Sequence, residues 1–334
     1  ITMPAQTALF DTIRITVPAK SVQSINLSDY LRGIKPVWGN ALIENMYGTN
    51  GFNTKGIHIE STEVITAYYE DYCTNNTDLF SLKGKNALGT LFYVPFQNQS
   101  PNHTPFAVKA YSAAHIVATK DNTIIWITPT KDAHDAGGAT FHPANVPYSI
   151  TLNKGETYSV CPRNFSELAA NRLAGTKVES NYPIAITISD DSDQFPNNGC
   201  YDLIGDQLIP TTVIGTEYIA IRGQIAMSGR PAGKTGEQLY IVGTQNGTAL
   251  YINGIFVKNI QERETYFYEF KSTDNVVHVR GSAPVYVLHV SGFGCEMGGA
   301  ILPPTNKCTG SWQVGFTRST SDGFFLNIMV RKEG

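Results

Sequence analysis

Charge is scarce in this 334-residue chain: Asp, Glu, Lys and Arg make up 16% of it, against about 25% in an average soluble domain. The formal net charge is −3, and Lys and Arg are scattered. No basic run exists to neutralise phosphates, so no nucleic-acid partner is expected. Long apolar runs are missing too. None reaches the ~18 residues that a membrane-crossing helix needs, so no transmembrane segment is expected. No window carries a sustained helical apolar stripe, and the best helix candidate, residues 165–172, spans about two turns. The opening residues do not read as a signal peptide, which fits a mature or trimmed form. Catalytic signatures are also lacking. There is no Gly-x-Ser-x-Gly elbow, no His-Glu-x-x-His and no phosphate-cradling glycine loop, and the seven histidines are dispersed.

What is present is strand and turn chemistry. Aromatics reach 11%, with 17 Tyr, beside 30 Gly and 17 Pro. That is the composition of twisted strands joined by many turns, and an all-β fold is expected. Strands are expected at 13–17, 22–27, 56–60, 64–69, 90–96, 106–111, 113–119, 123–128, 147–152, 157–161, 174–179, 183–189, 216–222, 237–243, 248–252, 264–270, 275–280, 284–290, 312–317 and 323–330.

The chain also repeats itself. Residues 57–67, 176–186 and 277–287 align without gaps, around Ser61, Ser180 and Gly281. Each reads as strand, tight turn, strand. Residues 88–94 align with 214–220, and 116–127 with 241–252, in the same order. In the last pair Asp121-Asn122 and Asn246-Gly247 separate alternating apolar runs, which reads as a hairpin because both pairs tolerate positive φ. The spacing predicts tandem β-sandwich-like units: 1–80, 81–200 and 201–298, with C-terminal strands in 299–334. Residues 11–18 resemble the end of one repeated block, and 299–316 resemble 205–221. The expectation is that the last strands (312–318 and 323–331) complete the unit begun by residues 10–73, covering two sheet edges.

Five cysteines stand at 73, 161, 200, 295 and 308. An odd count leaves at least one unpaired. Cys295 and Cys308 bracket a short loop rich in Gly and Pro and are expected to form a disulfide, in an oxidising compartment. The run from Asp190 to Asn198, followed by Asp202, alternates Asp, Ser and Asn. Hard cations need six to eight oxygens, and Asp190, Asp191, Asp193 and Asp202 are the candidate ligands for calcium, the one cofactor considered. Asp206 and Gln207 stand among apolar residues, so their polar ends should bond a neighbouring turn. The 32–55 connection is too long for a hairpin. Its aromatics Trp38, Tyr47 and Phe52 are candidates for ligand binding, or pack the loop onto its own unit.

Three segments carry a family resemblance. Residues 202–218 (Asp-Leu-Ile-Gly-Asp-Gln-Leu-Ile-Pro, then Gly-Thr-Glu-Tyr), residues 173–185 and residues 296–304 resemble the amino-terminal domain of IgG Fc-binding protein and its bacterial relatives. The resemblance spans about residues 10–330. It implies secreted or cell-surface proteins, mucus-associated in animals and adhesin-like in bacteria of the Bacteroidetes kind. It carries over no binding residue and does not imply antibody binding. The reading is therefore a non-enzymatic, extracellular or cell-surface adhesion or recognition domain whose partner is a surface protein, mucin or glycan. The alternatives are a structural spacer and a carbohydrate-active enzyme. The latter needs two facing carboxylates, for which Asp190, Asp191, Asp202, Asp206 and Glu296 are the available set.

Overall fold

The computed structural model describes residues 1–33, 51–71, 77–102, 110–136, 140–163, 168–193, 200–225, 232–307 and 326–330. Strands carry the fold, confirming the all-β class. Three short strands come first: β1 (Phe52–Asn53), β2 (Ala67–Asp71) and β3 (Asp78–Leu82). A first large set follows: β4 (Gly89–Val94), β5 (Ser112–Ala118), β6 (Thr123–Thr128), β7 (Ala133–Asp135), β8 (Phe141–His142), β9 (Tyr148–Leu152), β10 (Thr157–Pro162), β11 (Thr176–Asp193) and β12 (Asp202–Gln207). The second set is β13 (Glu217–Ile221), β14 (Gln224–Ile225), β15 (Lys234–Gly243), β16 (Thr248–Ile252), β17 (Ile255–Ile260), β18 (Thr265–Lys271), β19 (Val276–Gly281), β20 (Val285–Gly294) and β21 (Glu296–Ile301).

β11 is a single 18-residue strand that serves two layers. Its first part lies between β4 and β6, with β9 beyond β6. From Ile184 onward it pairs with β5 and β12, and β10 lies beyond β5. The ladder slips between Glu179 and Ile184, where the strand changes layer. In the second set β19 lies between β13 and β16, with β17 beyond. β20 lies between β21 and β15, with β18 beyond. The two sets thus have the same connection order, except that the second breaks the long strand into β19 and β20.

This pairing corrects the expected hairpins. β5 and β6 do not pair with each other, nor do β15 and β16, nor β19 and β20. The expected positive-φ turns are present: Asn122 (φ 55°) and Gly247 (φ 70°) take left-handed backbone. Such a turn reverses the chain without choosing its sheet. Each strand has one apolar face, and sending successive strands to opposite layers buries both faces against each other. β12 also pairs with β11, so the expected boundary at 200/201 runs between two strands of one sheet. β21 crosses the boundary at 298/299 and pairs with β20. Residues 13–17 and 22–27 form no strand; a 3₁₀ turn occupies Leu27–Tyr30. Of the helix candidate, a 3₁₀ turn at Ala169–Asn171 is described. The strand expected at 312–317 lies outside the described residues, as does most of the clamp between the termini; residues 326–330 form no strand.

The side chains of the described residues sort into three cores. Leu239, Ile241, Val285 and Val287 belong to the interior of the second set, beside Tyr218, Leu250 and Val277. Tyr240, Val242, Tyr286 and Leu288 point the other way, into a core shared with Phe92, Ile116, Ile125 and Ile186 of the first set. The layer formed by β15 and β20 is therefore covered on both faces. That is why these strands read as continuous apolar runs rather than as alternation. A small third core gathers Met3, Phe10, Ile13 and Leu31.

Candidate functional site

The acidic run of β11 leads inward rather than to solvent. The side chain of Arg172 is fully buried, with its Nε 3.1 Å from Asp190 Oδ2 and its Nη2 3.0 Å from Asp193 Oδ1. Its guanidinium also donates to Asn102 Oδ1 (2.7 Å) and to the Ser100 carbonyl (2.7 Å). Gln97 donates to both carboxylates, at 3.1 and 2.9 Å, and Asn102 to Asp190 at 2.8 Å. A buried ion pair needs its remaining donors and acceptors satisfied; most are here, though Asp193 Oδ2 has no hydrogen-bond partner. Burial and the neighbouring Asp190 charge push the Asp193 carboxyl well up, against the pull of Arg172. This corrects the expected calcium set: the cation held by Asp190 and Asp193 is Arg172. Asp191 accepts from Ser192 Oγ at 2.9 Å, and Asp202 faces a different group of residues. Arg172 carried no signal in its own surroundings, because its partners lie on other segments of the chain.

Asp202 opens β12 beside β3 and β21. Asp78 Oδ1 accepts from the Leu79 N–H (2.8 Å) and Oδ2 from the Gly205 N–H (2.7 Å). Burial pushes the Asp78 carboxyl up to about 7, helped by the charges of Asp206 and Asp71. Asp202 is likewise pushed up to about 7, by burial and then by a hydrogen bond and charge from Glu296. Asp206 forms the polar anchor expected of it. It pairs with Lys83 and accepts from the Ile301 N–H at 2.7 Å, joining β12 to β21. Close approach needs Gly299, where a Cβ would lie 2.4 Å from Ile204 Cγ2.

The disulfide expectation is also corrected. Cys295 pairs with Cys200, not Cys308; their Cα atoms are 5.9 Å apart across 95 residues of chain. The β12–β21 neighbourhood brings the two together. Cys73 and Cys308 lie outside the described residues. Cys161 is buried, and burial raises its thiol, which keeps it protonated and unreactive.

Of the aromatic candidates, Trp38 and Tyr47 lie outside the described residues. Phe52 pairs with Tyr158 across β1 and β10, with ring centroids 5.0 Å apart, and remains 42% exposed. Behind it the Tyr158 hydroxyl donates to Asp135, which also lies 2.9 Å from His142 Nε2. His142 stacks on Tyr148 at 3.5 Å. Burial raises both tyrosine hydroxyls, so they act as neutral hydrogen-bond groups.

Two solvent-facing ladders complete the inventory. In the first set Leu91, Glu179, Trp126 and Ser149 lie side by side across β4, β11, β6 and β9. In the second set the row is Glu217, Arg280, Tyr251 and Phe256, across β13, β19, β16 and β17. The Arg280 guanidinium lies 4.3 Å over the Tyr251 ring, and Phe256 meets that ring edge-on at 5.7 Å. Trp126 is 41% exposed and Phe256 52%. Strand alternation could have singled out Trp126 and Tyr251. Their neighbours in the row depend on sheet order, which the local pattern does not carry.

A family model described as "IgGFc binding protein" matches residues 79–334. The search of curated proteins found no match. Among solved structures, an anti-sigma factor domain-containing protein is 12% identical over 64% of this chain and 90% of that one, with a TM-score of 0.15. An anti-sigma factor domain-containing protein from Clostridium clariflavum is 10% identical over 72% of this chain and 97% of that one, with a TM-score of 0.17. Neither structural likeness is close enough to inform the fold or function. No helix among the described residues is long and apolar enough to cross a membrane.

Proposed function

The chain belongs to the IgGFc-binding protein family, and from that premise we propose a non-enzymatic adhesion or recognition domain, secreted or displayed at a bacterial cell surface. The family points to an extracellular protein-binding domain. A surface protein, a mucin or a glycan is the finer reading. The observation that carries it is the pair of outward ladders centred on Trp126 and on Arg280, Tyr251 and Phe256. Exposed aromatic side chains flanked by charge suit stacking on a sugar ring or packing against a protein surface. Their matching positions in the two strand sets agree with tandem copies of one unit, each presenting such a face.

The test is a glycan array and a mucin and IgG Fc binding assay, with W126A and the Y251A/F256A double variant. Saturable binding that falls at least tenfold in one of them supports the reading. Binding that both variants leave unchanged would place recognition elsewhere.

A structural spacer remains the second reading, favoured by the joint between the two sets. Arg263 donates to the carbonyls of Thr128 (3.1 Å) and Pro129 (2.9 Å), and Tyr93 donates to Glu262 at 2.6 Å. Gly175 has φ +82°, and a Cβ there would sit 2.0 Å from the Arg263 carbonyl oxygen. Absence of saturable binding by the unmodified protein would favour this role. The carbohydrate-active reading is less favoured. Asp202 and Glu296 are the neighbouring carboxyl pair on which it would rest. Turnover of aryl glycosides, lost on substituting either, would reinstate it.

A further inference from the structure

The strand that changes layer has a counterpart near the start of the chain, and there it is left uncovered. Residues 57–67 align with 176–186 of β11 and with 277–287, which run from β19 into β20. The continuations behave alike on one edge: β11 pairs with β12, β20 with β21, and β2 with β3. On the opposite edge the three differ. Ile184, Ala185 and Ile186 lie against Ala118, Val117 and Ile116 of β5. Val285, Tyr286 and Val287 lie against Gly243, Val242 and Ile241 of β15. The matching residues Ile65, Thr66 and Ala67 have no strand on that edge among the described residues, where β2 and β3 form a two-stranded sheet. Burial follows the pairing. Ile184 and Val285 are fully buried, whereas Ile65 is 46% exposed. An uncovered apolar edge is a template for another strand.

A strand that fits it is present in the sequence. β5 and β15 meet their partners through Ile116-Val117-Ala118 and Ile241-Val242-Gly243. Ile328-Met329-Val330 is a similar apolar run with β-branched ends. It has no cover of its own: Ile328 is 72% exposed and Val330 76%, and Leu326 and Met329 are exposed as well. Residues 326–330 form no strand, so within one chain this tail does not cover the edge.

We propose that residues 326–330 of one copy add as an antiparallel strand to the edge at residues 65–67 of a second copy. Val330 then stands opposite Ile65, Met329 opposite Thr66 and Ile328 opposite Ala67, which is the register that β5 and β15 use. Opposite residues share a face, so the side chains of Ile328 and Val330 come to lie beside those of Ala67 and Ile65. Main-chain hydrogen bonds hold the added strand, as in other edge additions. Tail and edge are different surfaces, so the contact is heterologous and continues from copy to copy. A row of copies would present the exposed aromatic ladders many times over, which raises avidity for a repetitive surface. The association itself does not depend on the recognition reading.

The experiment is sedimentation velocity on the full chain across a concentration series. Species larger than one chain should appear as concentration rises. I65K on the edge and I328K in the tail both replace exposed side chains, and each should move association to at least about tenfold higher concentration. L168K, an exposed change on another segment, should leave it where it was. Circular dichroism checks every variant's fold, and should I65K fail to fold, I328K carries the test. Mixing T66C chains with M329C chains under oxidation should yield a pair linked through the two introduced cysteines. The mass of one chain at every concentration overturns the proposal. So does association that a folded I328K retains in full. A T66C/M329C chain that links only to itself overturns it too, because the tail would then cover its own edge.

Discussion

Two acidic groups lie within one neighbourhood of this protein, and they are held together in opposite ways. Asp190 and Asp193 surround a fully buried Arg172, with Gln97 and Asn102 supplying further donors. Asp78 accepts from the Leu79 and Gly205 N–H groups, and the main charges acting on Asp78 and Asp202 are those of other carboxyl groups. The residue types are the same, so composition does not separate them. In the first group one guanidinium is shared by two carboxyl groups and the cluster is part of the core. In the second no basic group is among the main charges, and the cluster is held in place by covalent and backbone restraints.

The largest expected effect comes from removing that covalent restraint. C200A/C295A opens a 95-residue loop and should cost about 4–5 kcal/mol on the chain-entropy estimate. Denaturant unfolding measures this, and a loss under ~1 kcal/mol would mean that the strands alone hold the second group. R172M comes next. It strands two buried carboxylates and should cost about 3–5 kcal/mol. If its urea midpoint matched the unmodified protein, Arg172 would not be the partner that keeps Asp190 and Asp193 buried.

A third test asks what burial does to a histidine. His115 hydrogen-bonds Ser159 Oγ at 2.8 Å and Ser189 Oγ at 2.9 Å, and burial lowers its pKa from 6.5 to about 4. The unfolded chain then binds more protons between those values. Stability is complete above about pH 6.5 and falls as pH drops towards 4, by at most ~3 kcal/mol. H115Q should flatten that part of the stability–pH curve, and an unchanged slope would assign it to other groups. The smallest effect is expected for E296Q. It removes a like charge acting on Asp202, so stability should move by less than ~1 kcal/mol. A loss as large as that of R172M would show that the two groups are held alike.

Much of the framework was legible along the chain. β6 and β16 alternate buried with more exposed residues, and their ends matched closely because one face of each meets a core. β12 and β21 escaped notice. Asp-Leu-Ile-Gly-Asp-Gln and Glu-Met-Gly-Gly-Ala-Ile lack strand-like alternation, and Gly299 is there so that β21 can lie against Ile204. At the candidate sites Asp202 and Phe52 were visible by type and position. Arg172, Asp78 and the exposed rows around Trp126 and Tyr251 were not, because each gains its meaning from strands distant in sequence.

The sequence by itself determined the all-β class, the places of most strands, the reversals at Asn122 and Gly247, and the family. These follow from periodicity, turn chemistry and motif, which act over a few residues. Tertiary structure alone decided that reversing strands enter different layers, that Cys295 meets Cys200, and that Arg172 lies between Asp190 and Asp193. A strand's pattern says which face must be buried, but not against what. Partners are chosen only when every apolar face and buried charge must be satisfied at once.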